Sequence, residues 1–324
     1  MFKTNVRRCI AGVLTILSLA VVAAGCGDDD GGGGGGGGAA AGGGGLDGAS
    51  LAVGSKEFTE QLVLGKITTA VLENAGAEVN DQTGLAGSVA ARKALESGEI
   101  DMYWEYTGTN WLTYLKETKP IPDSQAQYDA VKQAEVQNDI ELLDPAPANN
   151  TYAFAVRSEA AADLGVKTIS DFKTLIQQRP QDATLCVGEE FTSRDDGLPG
   201  VEKTYGITFP PDGVTKVDEG IIYTQVDKGE KCNFGEVFIT DGRIAANDLT
   251  VIEDDKGFFP QYNPALNVRK ETLDKYPQLA ELFNPVAAKL DDATLQKLNA
   301  QVDVDGIPED EVAKQWLEDN GLLD

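Results

Sequence analysis

The 324-residue chain contains no histidine. Serine and cysteine triads that use an imidazole base are therefore excluded, as are histidine-ligated metal sites, and no cofactor or metal is expected. Basic residues are also scarce: 27 Lys and Arg stand against 53 Asp and Glu, a formal net charge of −26. Binding a phosphate backbone needs a basic face, so nucleic acid is not an expected partner. There are only 4 cysteines, and no segment after the N-terminal apolar run has the length and apolarity of a membrane span. Glycine is abundant but local, since 14 of the 36 lie between Gly27 and Gly48 and two more precede Cys26. The remainder is an ordinary globular frequency. Carboxylate chemistry and ligand binding both survive these exclusions, and at about 150 residues per domain the length suggests two lobes.

Lys3, Arg7 and Arg8 precede an apolar run from Ile10 to Ala24 that ends in Val22-Ala23-Ala24-Gly25-Cys26. A charged region, an apolar region and a small-residue cleavage site in that order make an export signal, and the run is short for a stable span. The closing five residues resemble a bacterial lipobox, which makes residues 1–25 a lipoprotein signal peptide and Cys26 the lipidated first residue of the mature chain. An ordinary secretory peptide with a chance cysteine is the alternative. Loss of residues 1–25 removes three positive charges and no negative ones, taking the formal charge from −26 to −29. Within residues 26–49, Asp28–Asp30 are followed by Gly31–Gly45, interrupted only by Ala39–Ala41, and such a stretch buries too little apolar surface to offset chain entropy. Residues 26–49 are expected to form a flexible tether reaching ~20 to 30 Å from the outer face of the cytoplasmic membrane.

From Ala49 onward, short apolar runs alternate with amphipathic segments, the pattern of α/β layering. Strands are expected at Leu51–Val53, Ile100–Tyr103, Ile140–Leu143, Tyr152–Val156, Leu185–Val187, Val237–Thr240 and Leu249–Ile252. Thr59 is placed to cap a helix running through Leu62, Ile67, Val71 and Leu72 to Gly76, and Ser88 to cap a second ending at Gly98. From Lys270 the chain reads as helical, its last helix opening at Pro308. Cys186 and Cys232 flank short apolar runs in an exported body, so a disulfide between neighbouring strands is expected, with two buried free thiols as the alternative.

In open α/β sheets ligands bind beyond the carboxyl ends of strands, so the polar strand-to-helix turns are the first places to look for chemistry. The turn Gly54-Ser55-Lys56-Glu57-Phe58-Thr59-Glu60-Gln61 puts Gln61 in the first turn of a helix, where amide and backbone N–H groups can meet an anion. The stretch Asp101 to Thr109 carries aromatics on both sides of a strand end, and Tyr152, Tyr223 and Tyr262 lie beside turn or strand boundaries. A single tyrosine is usually a core ring with a satisfied hydroxyl. Several converging would form a cage for a quaternary ammonium ion, which donates no hydrogen bond and must exchange its water for ring faces. Spacing alone does not show that they converge.

The turn VGSKEFTEQLVLGKI, the segment DMYWEYTGT, the block EEFTSRDDGLPGVEKTYG and the run TDGRIAANDLTVIEDDKGFFPQYNPAL together resemble the glycine betaine/carnitine/choline-binding proteins of osmoprotectant ABC importers, from about Leu51 to Leu323. The resemblance implies a class II periplasmic-binding-protein fold: two α/β lobes joined by a two-segment hinge, with ligand in the interlobe cleft. The crossings then fall near Tyr152–Val156 and Phe259–Val268, giving lobe 1 as residues 50–153 and 261–324 and lobe 2 as 154–260. It implies cage roles for Tyr106, Tyr152, Tyr223 and Tyr262, and contact of Gln61 and Thr109 with the ligand's other end. A hydroxyl at Thr109 donates to a carboxylate, where an aspartate would repel one, which favours carboxylate-bearing betaines. Arg194 stands in one of these motifs and is open between a ligand role and a structural one. The implied partners are a quaternary ammonium compound, an ABC permease and its ATPase. No Walker-type loop or multispan region occurs in the chain, so both must be separate polypeptides. A monomer is expected.

Three other readings compete. The same fold could hold an amino acid or another compatible solute. A surface hydrolase would use paired carboxylates such as Glu57 with Glu60, or Asp101 with Glu105. A sensory or adhesive lipoprotein would bind ligand without transport.

Overall fold

A computed structural model describes residues 45–323. The signal segment, Cys26 and the glycine tract through Gly44 lie outside the described residues. Two five-stranded sheets organise the rest. The first contains β1 (Ser50–Lys56), β2 (Glu78–Leu85), β3 (Met102–Tyr106), β4 (Ile140–Leu142) and β10 (Pro264–Arg269), in the order β2-β1-β3-β10-β4. The second contains β5 (Tyr152–Arg157), β6 (Leu185–Val187), β7 (Val214–Lys216), β8 (Phe234–Phe238) and β9 (Leu249–Ile252), in the order β7-β6-β8-β5-β9. The two layouts correspond position for position. In each, three parallel strands adjoin one antiparallel strand that has just arrived from the other sheet: β10 runs against β3 and β4, and β5 against β8 and β9.

Tyr152 and Ala153 pair with Phe238 and Val237, so β5 lies wholly in the second sheet. The chain therefore crosses between Leu142 and Tyr152, earlier than the expected Tyr152–Val156, and returns between Ile252 and Pro264. At the start of the body, Leu46 and Ala49 are only 2% exposed and Leu46 donates its N–H to the Ala75 carbonyl. These two residues, expected in the tether, are apolar anchors of the first lobe.

Helix Thr59–Asn74 places Val63, Leu64, Ile67 and Val71 against β1 and β3 and the C-terminal helices Leu279–Ala287, Asp292–Asp303 and Glu309–Asp319. Its partner from β3 is Trp104, whose indole N–H donates to Thr68 at 2.9 Å. Thr59 does not cap this helix. Phe58 occupies the cap position, and the Thr59 hydroxyl donates to Asp303 at 2.7 Å. Ser88 likewise lies inside helix Gly87–Ser97, and its hydroxyl is used across the cleft. The second lobe packs around phenylalanine, with Phe172 set 4.7 Å from Phe234 and 5.1 Å from Phe209. Cys186 of β6 is disulfide-bonded to Cys232, two residues before β8, with Cα atoms 5.6 Å apart. Among the described residues no helix is long and apolar enough to cross a membrane.

Candidate functional site

The carboxyl ends of β1 and β3 face the second lobe, and a small cavity lies between them. Tyr106 reaches it from the end of β3, Thr109 from the helical turn that follows, Tyr152 from the start of β5 and Tyr262 from the returning segment. Phe58 and Phe238 complete an aromatic wall. Tyr152 meets Tyr262 edge-on at 5.5 Å and Phe238 at 5.0 Å, while Phe58 lies parallel to Phe238 at 5.3 Å and to Tyr106 at 6.3 Å. Burial pushes the Tyr106, Tyr152 and Tyr262 hydroxyls up, so they stay neutral donors. The free space is only about 30 Å³, enough for roughly two waters. Any organic ion must part the rings, and Phe58 and Phe238 are the pair that face each other from opposite lobes.

Two cations share this cavity. Arg194 forms a fork to Asp196 at 2.8 and 2.5 Å and approaches the Thr109 hydroxyl at 3.4 Å with the same outer nitrogen, Nη2, that reaches Asp196. Asp196 also accepts from the Tyr262 hydroxyl at 2.6 Å. Burial alone would raise the Asp196 carboxyl, but Arg194 and Tyr262 hold it below the usual carboxylate range. Lys56, 4% exposed, bonds Glu105 at 2.7 Å and Ser88 at 3.2 Å and stands 5.0 Å over the Tyr106 ring. Glu190 of the second lobe accepts the Ser88 N–H at 2.6 Å and its hydroxyl at 3.0 Å, joining the lobes across the cleft.

Two expected site residues do not line this inner cavity, although Tyr223 borders the wider cleft outside it. Tyr223 is on helix Glu219–Lys228, packed with Cys186 and Cys232, and its ring face is covered by Arg243 at 4.3 Å. Its hydroxyl accepts the Phe238 N–H at 3.0 Å, so it supports the cage from behind. Gln61 is fully buried and turns back on β1, its Oε1 accepting the Lys56 N–H at 3.2 Å. Successive helical residues are turned by about 100°, and the first-turn position that faces the second lobe belongs to Glu60. Phe58, Lys56, Asn150, Glu190, Glu219 and Phe238 line the cavity without having been singled out in the sequence. Lys56 and Phe58 stand in a turn already marked by its place at a strand end. Phe238, Glu190 and Glu219 carry no comparable local signal.

Outside the Phe58 and Phe238 rings the cleft widens into a space of about 530 Å³ bordered by eight carboxylates and one arginine, Arg243. Such a mouth concentrates cations. The carboxylates proposed as hydrolytic pairs are already engaged: Glu57 accepts the Gly87 N–H, Glu105 is paired with Lys56, and Asp101 accepts the Ala52 N–H and the Thr272 hydroxyl.

Glu219 stands at the cavity rim. Burial, with Glu190 and Glu57 adding negative charge, pushes its carboxyl up to about 7, and burial beside Glu219 raises Glu236 as well. The folded state thus binds these protons more tightly than the unfolded chain. The stability that Glu219 contributes is complete below pH ~4.5 and is lost as pH rises through about 7. Thermal melts should show a Tm that falls from pH 5 to 8, and Glu219→Gln should flatten that slope. Asp196 and Glu190, held low, act only at more acidic pH.

The fold defines a two-lobed solute-binding protein with a cavity in the cleft between its lobes. Residues 49–319 match the substrate-binding domain of ABC-type glycine betaine transport systems, and the chain belongs to that family. It is an extracytoplasmic component of an ABC importer, and this family is not a class of enzymes. A glycine-betaine-binding protein of Pseudomonas aeruginosa is 39% identical over 280 residues, covering 85% of this chain and 89% of that one. The glycine betaine-binding protein YehZ of Escherichia coli is 35% identical over 83% of this chain and 90% of its own length. A crystal structure described as a glycine betaine/carnitine/choline ABC transporter superposes with a TM-score of 0.68 at 28% identity, covering 85% of this chain and all of that one.

Proposed function

We propose that this protein captures a quaternary ammonium osmoprotectant that also carries a carboxylate, and presents it to a separate membrane permease. The observation that carries the reading is one cavity walled by Tyr106, Tyr152, Tyr262, Phe58 and Phe238 and also lined by Arg194, Lys56 and Thr109. Ring faces replace the water around a methylated ammonium, and the guanidinium, ammonium and hydroxyl supply the donors a carboxylate requires. Glycine betaine, proline betaine and carnitine fit this pairing, and choline fits only its aromatic half. Binding takes place between the lobe built on β1–β4 and β10 and the lobe built on β5–β9. The receptor acts as a monomer, without a cofactor, anchored to the outer face of the membrane through lipidated Cys26.

Calorimetry on the exported chain with glycine betaine, proline betaine, carnitine and choline tests the reading, with proline and glutamate as controls. At least one carboxylate-bearing betaine should bind and neither control should. Binding of an amino acid with no quaternary ammonium compound would replace the cage by a different site. Tyr152→Ala should weaken every bound quaternary ammonium ligand about tenfold, since one desolvated cation–π contact is worth about 1 to 2 kcal/mol.

A further inference from the structure

Glu60 is 3% exposed, has no cationic partner among the described residues, and accepts hydrogen bonds on both carboxyl oxygens. Oε1 takes the Tyr106 hydroxyl at 2.8 Å and Asn150 Nδ2 at 2.7 Å. Oε2 takes the Thr240 hydroxyl at 2.6 Å and Asn299 Nδ2 at 3.0 Å, and that same Asn299 nitrogen donates to the Thr240 carbonyl at 3.0 Å. The four donors come from the end of β3, the crossing segment, the loop after β8 and helix Asp292–Asp303. Tyr106 and Asn299 belong to the first lobe and Asn150 to the crossing segment. Thr240 follows β8 of the second lobe.

We infer that Glu60 is a positioning residue that couples the tyrosine cage to lobe closure, one oxygen fixing Tyr106 while the other closes on Thr240. A buried carboxylate without a counter-ion is tolerable only when donors fill its lone pairs. Opening removes the Thr240 donor and exposes Glu60 to the wide outer cleft, which it also borders. Closure restores the fourth donor at the same carboxylate that orients a cage ring. The state of the cage and the state of the hinge are thereby read by one group. Glutamine alters the network, because its amide turns an N–H₂ toward the N–H₂ of either Asn150 or Asn299, and that asparagine must flip its amide to receive it.

The inference rests on the cage reading, and its test separates the two. Glycine betaine dissociation and the distance between spin labels on the two lobes are measured for the wild type, Thr240→Val, Glu60→Gln and the double variant. Thr240→Val, which leaves every cavity-lining residue in place, should raise the dissociation rate about three- to tenfold and shift the ligand-free distances toward the open form. Glu60→Gln should weaken binding at least tenfold, because an amide cannot accept all four of the hydrogen bonds that the carboxyl group receives. The double variant should be no weaker than Glu60→Gln alone, because both act through one contact. Wild-type rates and distances in Thr240→Val, or losses that multiply in the double variant, would overturn the coupling. If Glu60→Gln fails to fold, Thr240→Val decides by itself. A wild type that binds no quaternary ammonium compound refutes the cage, and the ligand-free distances then decide the coupling.

Discussion

Replacing Arg194 with methionine is expected to weaken glycine betaine binding about a hundredfold and to weaken choline far less. The first figure corresponds to roughly 2.7 kcal/mol, within the range for a charged hydrogen bond whose partner is left buried. The difference between ligands carries the argument. Choline has the trimethylammonium group but no carboxylate, so it depends on the rings and not on the guanidinium. Arg194 also holds Asp196, which in turn receives the Tyr262 hydroxyl, so some loss for every ligand is expected through a loosened cage. Titration calorimetry with both ligands on both proteins gives the ratio. Equal losses would make Arg194 a lobe-building residue only. Thr109→Asp should shift preference in the same direction, because it places a negative charge beside the group proposed to receive the carboxylate.

The second large effect concerns stability. Replacing both Cys186 and Cys232 with alanine releases a link between residues 46 apart in sequence. In the chain-entropy account such a closure contributes about 4 kcal/mol. For a body of this size the Tm should fall by roughly 7 to 15 °C. Neither cysteine lines the cavity, so affinity measured well below the transition should change little. A calorimetric melt paired with a binding isotherm at 25 °C separates the two quantities.

Legibility in the sequence followed local chemistry. Leu185–Val187 and Leu249–Ile252 form strands over the residues expected, because each is a short apolar run bounded by turn residues. Strand β2 escaped notice. It is the edge of the first sheet, and Glu78, Asn80 and Gln82 along it leave no apolar alternation to read. Tyr106, Tyr152 and Tyr262 reach one cavity while Tyr223 does not, yet all four have similar local settings. What separates them is which sheet face and which lobe each element is folded against, a property of contacts between distant segments. Arg194 illustrates the same limit: its approach to Thr109 spans 85 positions and exists only when the lobes are together. Gln61 and Glu60 are adjacent in sequence, and only the rotation of the helix decides that Glu60 meets the opposite lobe.

The exchanged strands bear on how the molecule is made. Strand β10 lies between β3 and β4, yet it is synthesised after the whole second sheet. A chain emerging N-terminus first therefore presents β3 and β4 as unpaired edges until about Arg269 has appeared. Exposed edges of that kind invite pairing with other chains. The second sheet is under no such delay, because all five of its strands fall between Tyr152 and Ile252. The later-encoded half is thus the one that can finish first, and the N-terminal half must wait for its missing strand.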